Sequence, residues 1–374
     1  MGTGAAEPPG IGETSITGID GERGVLTYRG FRIEEVVRHH GYEGVVGILL
    51  GSSRESEDAA LGVQLRSRRR LPESLERVVD SLPTDSLPID GFRTAVSAMD
   101  DVARVYPPTR EQCLDVIARS PTLVARLYHR AAGTSPVDPD PQLGHVANYL
   151  WMVHGRLASR ERIQALERYF VLLADHGISA STFALRVVLS TRSDLASAVT
   201  AALGALKGPL HGGAPPEVLE MLDAVGSADR VEPWVDQTLG RGGRLFGFGH
   251  PTYQVEDPRA TLLREFAKVV ASPERYALAR RFEAVALDRL ARRQPGRRLF
   301  TNVDYYGAVL LEAVGLPREL FTPTFALART AGWSAHALEQ VAQNRLVRPP
   351  ERYTGPPPRP PSRAAEVSRE NPSP

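Results

Sequence analysis

Four segments of the chain carry side chains able to do acid–base or anion-binding chemistry, each beside an expected helix end. In LLADHGISASTF, His176 sits just past a helical stripe, with Gly177 as the break. In KGPLHGGAPPEVLEML, His211 precedes two glycines that would let the backbone come close to a ligand. Pro215 and Pro216 then open a helix whose N-terminus faces back toward that loop, a setting suited to negative charge. In GRLFGFGHPTYQVEDPRA, Gly247 and Gly249 bracket Phe248 just before His250, and Arg259 falls in the first turn of the next helix. LFTNVDYYGAVLLEAVG sets Asp304 among apolar and aromatic neighbours. Imidazoles and a carboxylate suit proton transfer, and arginine offers a fork for carboxylates. A lone histidine is more often structural than catalytic, and a lone Gly-x-Gly is mostly a turn. The joint order of the four segments is what carries weight.

The elements that must position these groups are mainly helical. Ile163, Leu166, Phe170 and Leu173 recur at helical spacing ahead of His176. Asp257 and Pro258 read as N-cap and first helical residue, followed by Leu262, Leu263, Phe266, Val269 and Val270 on one face. Trp333, Ala337, Leu338, Val341 and Ala342 form another stripe, read as core or interface packing. Near the start, two β-type runs flank Asp20-Gly21 and predict a small hairpin of structural rather than chemical use. Strands do not alternate with helices, so a parallel sheet is not expected. Breaks fall at Leu82 to Pro88, at Thr134 to Pro141 and after Arg348.

Composition narrows the classes. With 45 basic and 44 acidic residues in 374, the net charge is +1, which argues against bulk nucleic-acid binding. All the basic residues but Lys207 and Lys268 are arginines, so an exposed arginine is weak evidence for an anion site. The cluster Arg66, Arg68, Arg69, Arg70 reads as a solvated helix end. The lone Cys113 excludes an intrachain disulfide and reads as buried and inert. No Walker A loop, strand-borne GxGxxG, HExxH, CxxC or GxSxG occurs. No apolar run approaches a membrane span, and the N-terminus lacks a signal-peptide pattern. The expectation is a soluble cytoplasmic protein with no metal and no membrane partner.

Several long motifs occur in one order: IDGERGVLTYRGF, ADHGISASTF, PLHGGAPPEVLEML, FGFGHPTYQVEDPRA, TNVDYYG and LFTPTFALARTAGWSAHALEQVAQNRLVRP. Together, from about Ile16 to Pro356, they resemble the citrate synthase family, in its compact dimeric form, whose close relatives include 2-methylcitrate synthases. The resemblance implies a mostly α, two-domain helical fold with a small N-terminal hairpin. The large domain would comprise residues 14–211 and 321–356, the small domain 212–320. Residues 1–13 and the Pro-rich 357–374 would be disordered. The implied reaction is a Claisen-type condensation of acetyl-CoA with oxaloacetate, followed by thioester hydrolysis, with no tightly bound cofactor. Asp304 matches the base, His211 the donor to the thioester oxygen, and His250 the group polarising the oxaloacetate carbonyl. The donor role calls for a neutral imidazole, which a nearby helix N-terminus would favour. Arg259, Arg329 and Arg348 match carboxylate-binding arginines, Arg348 entering from the partner of a homodimer, and His176 matches a further substrate-binding group. The stretch Arg244, Leu245, Phe246, Gly247, Phe248 matches a CoA-contacting segment, and Arg297 and Arg298 are further candidates for the CoA phosphates.

Three positions depart from the family pattern. Pro215 replaces an asparagine after His211, Pro251 and Thr252 follow His250 where Arg or Ala and then Val are usual, and Gly307-Ala308 replaces Ser-Gly. Pro251 removes a backbone donor beside the second histidine and keeps His250 out of helical dihedrals. Two alternatives follow: a 2-methylcitrate synthase using propionyl-CoA, since one methylene discriminates by only about 1–3 kcal/mol, and a slow or idle paralogue that binds CoA or dicarboxylates.

Overall fold

The structure is a computed structural model describing residues 12–51, 56–99 and 105–358, with the side chains of 56–58 not described. Most of the two termini expected to be disordered lies outside the described residues. The chain enters through a three-stranded antiparallel sheet in the order β1 (Thr17–Asp20), β2 (Val25–Tyr28), β3 (Phe31–Arg32), one strand more than the expected hairpin. Thr17 lies opposite Tyr28 and Asp20 opposite Val25. At the turn, Asp20 Oδ1 accepts the N–H groups of Glu22 and Arg23 at 3.1 and 2.9 Å, the local device that makes Asp favourable there.

Sixteen α-helices follow among the described residues. The first ten are α1 (Ile33–His39), α2 (Tyr42–Leu49), α3 (Ser56–Arg68), α4 (Glu73–Ser81), α5 (Pro88–Ser97), α6 (Arg110–Ala132), α7 (His145–His154), α8 (Arg160–Leu173), α9 (Ala180–Ser190) and α10 (Leu195–Leu206). A second run comprises α11 (Pro215–Val225), α12 (Val231–Gly240), α13 (Pro258–Val270), α14 (Pro273–Arg293) and α15 (Val303–Ala313). The last helix, α16 (Phe321–Ala342), returns to pack on α6, α8 and α9. Within the second run α11 and α13 pack on α15, and α12 on α14, while α13 also lies along α8.

Local sequence explains many of these boundaries. Thr109 and Gln112 close a capping box at the start of α6, and Gly133 ends it in the left-handed region at φ 66°. Asp257 caps α13 with Pro258 at the first turn, as the sequence predicts. The face of α13 differs from the expected stripe: Ala260, Leu263 and Ala267 are buried, whereas Val269 is 69% exposed. The helix packs between α8 and α15, and the small residues allow that close approach. Arg69 also departs from expectation. It is buried, and its Nη1 donates to the carbonyls of Asp140 and Leu143 at 3.0 and 3.1 Å, tying the end of α3 to the loop before α7. Cys113 is buried as expected, its thiol pushed up to about 12 by burial.

The long helix α16 is buried along nearly its whole length, Trp333 and Arg329 included. Its central polar contact is with Asp175, which is fully buried at the end of α8. Asp175 Oδ2 accepts from the Thr17 hydroxyl at 2.5 Å, the Gly177 N–H at 2.9 Å and His336 Nε2 at 3.2 Å. His336 Nδ1 in turn accepts from Arg186 Nη2 at 2.7 Å, and Arg186 also pairs with Glu339. Glu339 receives the Ser15 N–H and hydroxyl at 2.7 and 2.8 Å. Burial pushes the Asp175 carboxyl up, but His336, Arg329 and Thr17 outweigh it, so its pKa lies below the ordinary value.

His336→Leu is expected to destabilise the protein by about 1–3 kcal/mol, the cost of leaving a buried partner unsatisfied. Urea denaturation measures this. An unshifted midpoint would show that the Asp175 network does not hold α16 in place.

Candidate active site

His211 lies in the turn after α10. Its N–H donates to the Gly208 carbonyl at 2.9 Å, and the Gly212 N–H to the Leu206 carbonyl at 2.8 Å. The two following glycines are required by the turn itself. A Cβ on Gly213 would lie 2.8 Å from the Lys207 carbonyl oxygen, and one on Gly212 within 2.8 Å of Leu206 and Phe325. They permit the turn to fold back on its own helix end. His211 Nε2 meets the Ser181 hydroxyl at 2.9 Å, and that oxygen lies 3.3 Å from Trp333 Nε1–H. Indole nitrogen can only donate, so Ser181 Oγ accepts from Trp333, and its own proton is left for His211 Nε2 or for the Ser179 hydroxyl 3.3 Å away. With that proton directed at His211, Nε2 accepts and the ring proton stays on Nδ1. Burial, then Arg329 and Arg259, pull the imidazole down to about 4. The direction is the one expected, with burial as the largest cause and the two guanidiniums after it.

His250 and Asp304 are held by two segments stitched together. Phe248 and Thr301 form an antiparallel bridge, the Gly249 N–H donates to the Phe300 carbonyl at 2.7 Å, and the Asn302 N–H to the Gly247 carbonyl at 2.9 Å. Gly247 and Gly249 hold φ near 86° and 88°, the left-handed region that side chains resist. Asn302 caps α15 through the Asp304 N–H at 3.0 Å, while its Nδ2 donates to the Gly249 carbonyl at 3.0 Å. Asp304 is thus freed from the capping role and turns into the cavity. Beneath them Glu283 accepts from the Thr301 hydroxyl at 2.7 Å, the Tyr306 hydroxyl at 2.6 Å and Arg264 at 2.6 Å. The hairpin tip braces the other side: the Gln254 N–H donates to the Gly21 carbonyl at 2.8 Å, and Gly21 abuts the Thr252 backbone.

His250 Nδ1 accepts from the N–H groups of Thr252 and Tyr253 at 3.0 and 3.3 Å, so its proton sits on Nε2. Pro251 lacks an N–H, yet its two successors supply the donors that fix the ring. Burial, then Arg259, lower His250 to about 4. His176 packs edge-on against His250 with ring centroids 5.2 Å apart, and its Nε2 lies 3.2 Å from the Tyr253 hydroxyl. Burial holds His176 well below its ordinary value, assisted by Arg259 and His250. Burial acts oppositely on Asp304, raising it to about 7 despite Arg259.

His176, His211, His250, Asp304, Arg259 and Arg329 line one cavity of about 430 Å³. The two arginines are buried and differ in their pairing. Arg259 is clamped by Asp257, Nε to Oδ1 at 3.0 Å and Nη2 to Oδ2 at 2.7 Å. Arg329 donates to the Leu173 carbonyl at 2.8 Å and lies over the Phe325 ring at 4.9 Å, with no carboxylate in ion-pair contact among the described residues. Burial accordingly lowers its pKa. A buried guanidinium in this condition calls for an anion from outside the protein.

The remaining sequence candidates divide. Arg244, Phe246, Gly247 and Phe248 line the cavity, and the side chain of Leu245 between them packs in the core. Arg348 stands exposed on the segment after α16, outside this cavity in the single chain. Arg297 and Arg298 are exposed and do not line it. Sequence reading missed Ser181, Tyr253, Asp257 and Asn302 as positioning groups. All four lie inside the motifs quoted above, within five residues of a candidate, but their partners are set by the fold. Trp333, read as packing alone, also belongs to the His211 chain. Among the described residues no three His, Cys, Asp or Glu side chains gather as a metal would require, and no helix is long and apolar enough to cross a membrane.

The family profile described as "Citrate synthase, C-terminal domain" matches residues 7–350. A citrate synthase from Haloferax volcanii is 39% identical over 359 residues, covering 92% of this chain and 93% of that protein. A 2-methylcitrate synthase from Shewanella oneidensis is 32% identical over 357 residues, covering 93% of each. The structure of a ternary complex of carboxymethyl coenzyme A and oxaloacetate with citrate synthase from Thermoplasma acidophilum superposes with a TM-score of 0.86 at 30% identity, covering 93% of this chain and 94% of that one. A match this long in sequence and in fold identifies the chain as a member of the citrate synthase family.

Proposed function

We propose that the protein condenses acetyl-CoA with oxaloacetate and hydrolyses the resulting citryl thioester to citrate and CoA. The observation that carries this reading is the cavity in which two buried imidazoles, His250 with its proton fixed on Nε2, face a carboxyl poised near neutrality. Asp304 removes a proton from the acetyl methyl group, and the Nδ1–H of His211 stabilises the thioester oxygen as the enol forms. That carbon attacks the oxaloacetate carbonyl, polarised by the Nε2–H of His250, which passes its proton to the new alkoxide. Water then cleaves the thioester, releasing CoA. Arg259, Arg329 and His176 hold the oxaloacetate carboxylates. The bidentate Asp257 clamp aims the Arg259 fork, and the unpaired Arg329 supplies the net charge that a dianion needs.

The Arg244, Phe246 to Phe248 stretch takes the CoA arm at the cavity mouth. Residues 212–320 act as a small domain that closes on oxaloacetate against the rest. The working unit is a homodimer in which Arg348 reaches the neighbouring site, consistent with its exposure in the single chain. Release of free CoA with acetyl-CoA or propionyl-CoA, each with oxaloacetate, tests the substrate. A higher kcat/KM with acetyl-CoA supports this reading, a higher value with propionyl-CoA makes the protein a 2-methylcitrate synthase, and no release from folded protein makes it an idle paralogue.

Asp304→Asn is expected to lower kcat by at least about 100-fold. Activity of the wild type should rise with pH through an acid limb near 7, as Asp304 ionises, with no second limb from His211 or His250 above about pH 5. Because the folded pKa of Asp304 exceeds its unfolded value, stability falls as pH rises from about 4 to about 7 through this group. Asp304→Asn should therefore melt at a higher temperature than wild type at pH 8, a comparison calorimetry makes directly.

Ser181→Ala frees the His211 tautomer. We expect kcat to drop by up to about 100-fold, with the oxaloacetate Kd from calorimetric titration unchanged. Mixing inactive Arg348→Ala and Asp304→Asn subunits should restore one working site per hybrid dimer; absence of restored activity would place Arg348 in its own subunit's function.

A further inference from the structure

A second cavity, of about 270 Å³, shares no lining residue with the first. It opens between the turn joining α7 to α8 and the turn that follows α15. His154 is the last residue of α7, Gly155 ends that helix in the left-handed region, and Arg156 follows. Ser159 then caps α8, accepting the Arg162 N–H at 3.4 Å. From the opposite wall Gly315 faces these groups at φ 90°.

The geometry brings donors to one point. The position a Cβ on Gly315 would occupy lies 3.6 Å from Arg162 Nη1 and 3.8 Å from His154 Nε2. His154 Nε2 is shielded from solvent and has no hydrogen-bond partner in the structure. Arg156 adds a second guanidinium to the wall. Among the described residues, no carboxylate lies in ion-pair contact with Arg156 or Arg162. Of the acids close in sequence, Glu312, at the end of α15, binds Arg275 at 2.7 Å, and Glu161 makes no ion pair with either arginine. After burial, Arg156 and Arg162 are the groups that lower the His154 pKa, so both guanidinium charges are felt at the ring. Arg156 and Arg162 are exposed, and with no carboxylate partner among the described residues they flank the orphaned imidazole nitrogen in one cationic pocket.

We propose that this cavity is an anion-binding site, separate from the catalytic cleft, for a small oxyanion carrying a phosphoryl group or two carboxylates. A guanidinium fork matches both groups, since each presents two oxygens in its plane. A cation would be repelled, and a neutral ligand would leave both forks unanswered. Leu157, 60% exposed on the rim, offers an apolar edge for the carbon portion of such a ligand. The site does not depend on the reaction assigned to the cleft.

Equilibrium dialysis of radiolabelled inorganic phosphate, and separately of radiolabelled succinate, against the full chain tests this. With oxaloacetate present to fill the cleft, the expected result is one saturable site per chain for at least one anion, weakened at least about tenfold in the double variant R156A/R162A. That variant should keep wild-type kcat and oxaloacetate KM, which excludes both unfolding and a damaged cleft. Binding of phosphate alone marks a phosphoryl site, and binding of succinate alone a dicarboxylate site. Saturable binding undiminished in the double variant would place the anion outside this cavity and overturn the proposal, as would no saturable binding of either anion.

Discussion

The buried carboxylate of Asp175 is the interaction on which the cleft's framework depends. Two donors distant in sequence, the hydroxyl of Thr17 from β1 and the ring of His336 from α16, join the local N–H of Gly177 on one of its oxygens. An isolated carboxylate at zero exposure would be prohibitively costly, so its donors must arrive together. Their arrival fixes the turn that presents His176, the strand beneath the hairpin and the rotation of the helix that carries Arg329. His336 passes the constraint on to Arg186 and so to Glu339 and the N-terminal segment. A single buried charge thereby sets the mutual position of elements more than 150 residues apart.

The cleft adds a second constraint, the division of charge between its groups. Burial works in opposite directions on its acids and bases, neutralising three imidazoles and raising the one free carboxyl toward neutrality. The guanidiniums remain charged because arginine cannot lose its proton in this range. The result is a site with fixed cations, neutral donors and one weak base, the combination needed to bind a dianion while removing a proton from carbon. The tautomer of His250 is set by two backbone N–H groups, and the ring of His211 is positioned by Ser181 and Trp333. Such preorganisation means that little reorientation is required when charge develops.

Much of this was legible in the chain. The α8 stripe, the Asp257-Pro258 start of α13, the breaks before α5 and α7 and the hairpin at Asp20-Gly21 all follow from short-range rules of periodicity, capping and turn chemistry. Six candidate side chains of the site were readable as well, five of them in loops between helices or in a helix's first turn and Arg329 within the long motif that forms α16. The misreadings share a cause. Val269 is exposed although its spacing suits the buried face, since α13 is gripped by α8 and α15 along its small residues. Arg69 is buried although its cluster looks solvated, since carbonyls some 70 residues away receive it.

The sequence by itself determined which residue types were available and roughly where helices begin and end, because those properties are decided within a few residues. Tertiary structure alone decided their chemistry. A histidine's tautomer, a carboxyl's proton affinity and an arginine's freedom to bind an anion depend on partners brought from distant segments. Asn302 relieves Asp304 of capping, Asp257 engages Arg259, and Arg329 is left unpaired. The same dependence governs the second cavity, where a turn after α15 meets the loop before α8, an encounter that no local pattern encodes.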